Sequence, residues 1–305
     1  MLAQICGGVD DRCLSGPRSH GDREGLIGLG FPESNVNVKP IREQGEWMKP
    51  NIGLLSVILV SWLVCGTPSA AAAGASFSYS GDDGPGFWAE TSPACGATPL
   101  ARQSPVNIVG ATVDPALRPL VLSLNETSFT LQNNGHTVVA TPRVGGTLTL
   151  NGVRFALAQF HFHTLSEHTV AGKHAEMELH AVFANGDASR AVIAVLYKIG
   201  REDPFLGKLL TAGLPPKSTS DPVSIERLNL AEGLTNTAAY YTYPGSLTTP
   251  PCDANVTWIV LKQSAQMSEK QFEAFQGILG NNFRSIQKLN ARRITETPER
   301  AKPHR

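Results

Sequence analysis

The sequence predicts a mainly β fold: one domain with a large, mostly antiparallel central sheet and a few surface helices. Two observations predict it. Long stretches are dense in β-branched and aromatic residues and are punctuated by Asn-Gly and similar turn pairs, whereas only two segments carry helix-start signals. The strand-like segments also follow one another directly, which favours antiparallel neighbours over helical crossovers.

From about Ser76 the strand segments run FTLQNNGHTVVATP (129–142), GTLTLNGVRFALAQFHFH (146–163), AEMELHAVFAN (175–185), RAVIAVLYKIG (190–200) and NVTWIVLK (255–262). Asn151-Gly152 and Asn185-Gly186 are hairpin turn pairs, and Gly172-Lys173 supplies a turn before AEMELHAVF. A short helix is predicted at FLGKLL (205–210), with Asp203 as cap and Pro204 at the first helical position. A second is predicted at SEKQFEAFQGIL (268–279), where Ser268 and Gln271 have capping-box spacing and Phe272, Phe275 and Leu279 form the apolar face. No internal repeat or low-complexity tract interrupts the pattern.

The first 75 residues differ from the rest. Met48-Lys49 precedes NIGLLSVILVSWLVCG, whose apolar core from Ile52 to Val64 is short for a bilayer span and suits a signal peptide. Ala71-Ala72-Ala73 and Ala73-Gly74-Ala75 both fit the small-residue cleavage rule. Val64 before Cys65 argues against a lipoprotein signal. The expected organisation is a gene-model extension or a disordered tail at 1–47, a signal peptide at 48–75 and one domain at 76–305. That domain is expected to be exported, to the periplasm or beyond the cell, with no stable membrane span after cleavage. Removing residues 1–75 also removes Cys6, Cys13 and Cys65. Only Cys95 and Cys252 remain, and two cysteines in an exported domain read as one disulfide, with two buried free thiols as the alternative. Formal net charge is zero and no basic stripe is present, which excludes nucleic acid as a partner.

The chemistry is concentrated in QFHFHTLSEH (159–168), which holds three of the chain's 8 histidines. On a strand, side chains two apart share a face. Gln159, His161 and His163 therefore point one way, and Phe160 and Phe162 the other. In AEMELHAVF, Glu178, His180 and Val182 share a face in the same manner. If the two strands are neighbours, His180 approaches His161 and His163. Three neutral imidazoles then give three corners of a tetrahedron, and the open fourth is the mark of a catalytic rather than a structural zinc site. Gln159 and Glu178 are available to accept the second N–H of His161 and His180, respectively.

Further motifs extend the pattern: FSYSGDDGPGFW (77–88), RQSPVNI (102–108), NNGH (133–136), YPGSLTTPP (243–251) and VTWIVLK (256–262). Together with the histidine segments, and in this order from Phe77 to Arg292, they resemble the α-class carbonic anhydrases of the secreted bacterial type. The resemblance implies a large twisted sheet of about ten strands, and reversible hydration of CO2 to bicarbonate and a proton through attack by zinc-bound hydroxide. It implies His161, His163 and His180 as ligands of Zn2+. It implies Thr248 as the residue that orients the hydroxide, with its own proton committed to Glu167, and Thr249 as its neighbour on the substrate side. Val182, Val192, Leu247 and Trp258 correspond to the apolar CO2 pocket, and His136 to the proton shuttle. Cys95 and Cys252 match the family's disulfide. Ser285 stands where many members carry proline, and this late segment is taken to lie outside the metal face.

His168 is read as structural, on the opposite side of the chain from Glu167, and Glu176 as a polar sheet residue. A carbonic anhydrase-like binding protein without catalysis is the competing class, disfavoured because all three histidines, Glu167 and Thr248 are present. A different zinc hydrolase lacks support, since no G-x-S-x-G or acyl-binding motif occurs. Ester cleavage is expected only as a side reaction. CO2 and bicarbonate are the expected partners, and pairing of two copies as a homodimer is left open.

Overall fold

The computed structural model describes residues 76–299 apart from 97, 99–100 and 218–220. The extension expected at 1–47 and the signal peptide expected at 48–75 lie outside the described residues, as do Cys6, Cys13 and Cys65.

The major strands, numbered in chain order, are β1 (Thr127–Asn133), β2 (Val138–Pro142), β3 (Thr147–Leu150), β4 (Val153–His163), β5 (Met177–Ala184), β6 (Arg190–Ile199), β7 (Val223–Leu228), β8 (Tyr240–Ser246) and β9 (Ala254–Leu261). They lie in one sheet in the order β7-β1-β2-β4-β5-β6-β9-β8, which continues through Thr295–Glu296 to Thr112–Val113. β3 pairs with β4 and with Val121–Ser123. Most pairings are antiparallel, but β6 and β9 run parallel at the centre. A parallel pair needs a long connection, and here the chain passes through the α1 helix (Pro204–Ala212), β7 and β8 before it returns as β9.

Local chemistry accounts for the ends of these elements. Asn151 and Gly152 both have positive φ, 50° and 79°, as a tight two-residue hairpin between β3 and β4 requires. Asn185-Gly186 behaves differently. Its side chain accepts from the Asp187 N–H at 3.2 Å and its own N–H donates to Ser189 O at 3.2 Å, so a wider loop joins β5 to β6. The Asp203 side chain accepts from Phe205 N and Leu206 N at the start of α1. Ser268 and Gln271 form the full capping box of α2 (Glu269–Leu279).

Alternation then divides the sheet into two faces. Phe160 and Phe162 of β4 and Leu179, Ala181 and Phe183 of β5 join one core with Phe205, Leu206 and Leu209 of α1 and Phe275 and Leu279 of α2. Phe162 and Phe275 rings lie 4.9 Å apart. Each of these Phe and Leu side chains contributes about 1.5–3 kcal/mol on burial, so the helices hold β4 and β5 from this side. The opposite face carries His161, His163, Glu178, His180 and Val182.

Candidate metal centre

β4 and β5 are antiparallel neighbours whose register sets His180 across from His161 and Glu178 across from His163. Ring centroids are 5.0 Å apart for His161–His163, 5.2 Å for His161–His180 and 4.6 Å for His163–His180. One nitrogen from each falls within 4.8 Å of the other two, so the three could hold a metal ion.

The remaining nitrogens are all engaged. His161 Nδ1 lies 2.8 Å from Gln159 Oε1, His163 Nδ1 lies 2.7 Å from the Asn282 carbonyl oxygen, and His180 Nε2 lies 2.8 Å from Glu178 Oε1. These partners accept, so the engaged nitrogens carry the protons and the inward ones present lone pairs. Burial, then the charges of His163 and His180, hold His161 well below the ordinary imidazole value. Burial also lowers His163, against the opposing pull of Glu167. His163 Nε2 is buried without a hydrogen-bond partner. Three neutral, inward-facing nitrogens, one of them orphaned, fit a divalent ion that accepts imidazole, and zinc is the common one.

Glu167 is fully buried. Its Oε1 accepts from the Arg284 backbone N–H at 2.9 Å. Its Oε2 has no hydrogen-bond partner and lies 3.6 Å from His163 Nε2 and 3.9 Å from His180 Nδ1. Thr248 is buried in the loop after β8, which is held by bonds from Leu247 N to Asp253 O (3.0 Å) and from Cys252 N to Thr249 O (2.9 Å). Thr248 and Glu167 are not hydrogen-bonded to each other in the structure. Val182, Val192 and Trp258 pack in one apolar cluster with Leu247 at its margin. Register explains this: Val182 faces Val192 across β5 and β6, and Val192 faces Trp258 across β6 and β9. The Trp258 ring lies 4.8 Å from that of His180, which brings the apolar cluster to the histidines. Gly245 permits this packing, because a Cβ there would sit 2.6 Å from Trp258 Cδ1 and would also collide with Ser104 Oγ.

A family model described as eukaryotic-type carbonic anhydrase matches residues 83–298. The chain belongs to the α-class carbonic anhydrase family. Among relatives of this carbonic anhydrase, a Klebsiella pneumoniae carbonic anhydrase is 37% identical over 72% of this chain and 90% of its own length. A Neisseria gonorrhoeae carbonic anhydrase is 36% identical over 77% and 94%. The solved Photobacterium profundum alpha-carbonic anhydrase superposes with a TM-score of 0.68 at 38% identity, covering 72% of this chain and 100% of that one.

Within this carbonic anhydrase, His136 occupies the turn between β1 and β2, stacked on Phe77 with ring centroids 3.8 Å apart and planes 9° from parallel. Cys95 and Cys252 form a disulfide. Five residues outside the sequence-derived candidates complete the surroundings. His168 donates its backbone N–H to Glu178 Oε2 at 2.8 Å, and its Nδ1 lies 2.6 Å from Glu178 Oε1. It is not opposed to the site as strand alternation suggested, because the chain leaves β4 at His163 and does not run as a strand again until Thr169. His168 Nε2 lies 2.6 Å from the Tyr243 hydroxyl, itself 3.0 Å from Ser104 Oγ. Burial alone would raise Glu178, but the charges and hydrogen bonds of His168 and His180 outweigh it and hold the carboxyl well below the usual range. Asn282 and Arg284 belong to the late segment expected to lie off the metal face. They reach the site through main-chain atoms, a carbonyl on His163 and an N–H on Glu167. Among the described residues, no helix is long and apolar enough to cross a membrane.

Proposed function

We propose that this carbonic anhydrase is a zinc enzyme that interconverts CO2 with bicarbonate and a proton, with His161, His163 and His180 as the metal ligands. The observation that carries the reading is the tautomer lock: each imidazole commits one N–H to an accepting neighbour and turns a lone pair towards the other two. Zinc, when bound, would lower the pKa of a water ligand to about 7, the figure established for carbonic anhydrases as a group.

The chain's own residues then have distinct tasks. Glu167 as a carboxylate can only accept. Its Oε1 is taken by the Arg284 N–H, so Oε2 is the acceptor left for the Thr248 hydroxyl proton. With that proton committed, the Thr248 oxygen must accept, and it orients the nucleophile's lone pair towards carbon. CO2 is linear and apolar, and Val182, Val192, Leu247 and Trp258 give it an apolar wall beside the histidines. The Thr249 hydroxyl lies on the substrate side. His136 relays the released proton to buffer. Activated esters are cleaved slowly by the same nucleophile. Residues 48–75 direct export, which agrees with a disulfide in the domain.

The test is stopped-flow CO2 hydration by the purified protein before and after zinc chelation. Rapid hydration that disappears on chelation is the expected result. Hydration that survives complete zinc removal, or its absence from folded, zinc-loaded protein, would overturn the reading.

A further inference from the structure

Arg284 is 1% exposed, which is rare for a guanidinium, and the proposed mechanism gives its side chain no task. Its Nη1 donates to Gln103 Oε1 and to the Ser104 carbonyl, both at 2.8 Å, and its Nη2 donates to the Cys95 carbonyl at 2.9 Å. The guanidinium also lies 5.5 Å from the Trp88 ring. Gln103 passes the contact on, since its amide donates to the Cys252 carbonyl at 3.1 Å. One buried cation is therefore bonded to Cys95 directly and to Cys252 through a single side chain, the two ends of one disulfide.

Two further connections lead from Arg284 to the site, one through its main chain and one through its guanidinium. The Arg284 backbone N–H grips Glu167 Oε1. Ser104, whose carbonyl the guanidinium holds, exchanges bonds with Ser246: Ser104 N donates to Ser246 Oγ at 3.0 Å, and Ser246 N donates to Ser104 Oγ at 3.1 Å. Ser246 stands two residues before Thr248, and Cys252 stands four residues after it. The guanidinium thus ties both flanks of the Thr248 loop to residue 284, whose own main-chain N–H holds the carboxylate of Glu167. Charge-assisted bonds of this kind are stronger than neutral ones, and a buried cation keeps its acceptors because losing them is costly.

We propose that Arg284 is a positioning residue that sets Glu167 and the Thr248 loop relative to each other. The proposal rests on the reading of Glu167 and Thr248 as the pair that orients the nucleophile. Arg284 touches no reacting atom and acts only through these two.

The test is a double-mutant cycle on CO2 hydration in saturating buffer, with zinc content measured for every variant. Arg284→Lys is expected to lower kcat and kcat/KM equally, by about 10–100-fold, with one zinc per chain and KM within about twofold. Gln103→Leu leaves the cation in place and removes one acceptor, and about a threefold loss is expected. If Arg284→Lys yields no folded protein, Gln103→Leu decides alone. In a Glu167→Gln background both effects should shrink to less than about twofold, because the group they act through is gone. A full-sized loss in that background would show that Arg284 supports the fold rather than Glu167, and would overturn the proposal. A Glu167→Gln enzyme as active as its parent would instead sink the reading of Glu167, and this proposal with it.

Discussion

His136 lies flat on Phe77, and Tyr79 approaches it edge-on at 6.4 Å. Burial, followed by the positive charge of Lys217, pulls its pKa below the ordinary imidazole value. Such a histidine releases a proton readily and takes one up less eagerly. His136→Ala is expected to lower kcat in dilute buffer by about tenfold or more, to leave kcat/KM nearly unchanged, and to recover when imidazole is added. A kcat indifferent to both changes would mean that His136 carries no proton. Other single residues were legible to different degrees. Gln159 and Glu178 could be named because strand alternation places them beside His161 and His180. Asn282 could not, because it meets His163 through a carbonyl that every residue type possesses, 119 positions along the chain. The sequence signal for such a contact is absent in principle, since side-chain identity does not encode it.

At the scale of elements, the segment after α2 ties together parts that the sequence leaves far apart. Gly280 ends the helix with a positive φ of 64°, and its carbonyl accepts from Thr164 Oγ1. Asn282 Nδ2 donates to the Phe162 carbonyl at 3.0 Å and to the His136 carbonyl at 3.1 Å, while its Oδ1 accepts from Thr164 N at 2.8 Å. The end of β4, the His136 turn and the loop that follows α2 are thereby one unit. Asn282→Ala strands these buried groups and is expected to cost about 2–4 kcal/mol in urea unfolding. Zinc affinity should also fall about 10–100-fold as the Asn282 carbonyl under His163 shifts. Unchanged zinc affinity in a destabilised variant would separate this loop from the metal site. The strands, the two capped helices and the Asn151-Gly152 hairpin were legible because each is specified by neighbours in sequence. The parallel pairing of β6 with β9, which puts Val192 beside Trp258, was not, because nothing local to either strand selects its partner.

For the whole molecule, the site couples stability to protonation and to metal. His161 and His163 have folded pKa values below the unfolded imidazole value of about 6.5. Between those values the unfolded chain binds more protons, and stability rises with pH wherever that holds. The contribution of these histidines is thus fully present above about pH 6.5 and is lost as pH falls towards their depressed folded values. Metal-free protein should lose urea stability over this window more steeply than a His161→Asn/His163→Asn double variant, and equal slopes would contradict the assignment. The central claim, that three histidines on two neighbouring strands hold one catalytic zinc, is tested most directly by restoring zinc to the chelated enzyme while CO2 hydration is followed. Activity is expected to rise in proportion to added zinc, to level off at one equivalent per chain, and to stay at the uncatalysed rate in His161→Ala. Activity that does not depend on zinc, or a His161→Ala variant restored to the parent rate by one equivalent, would contradict the account.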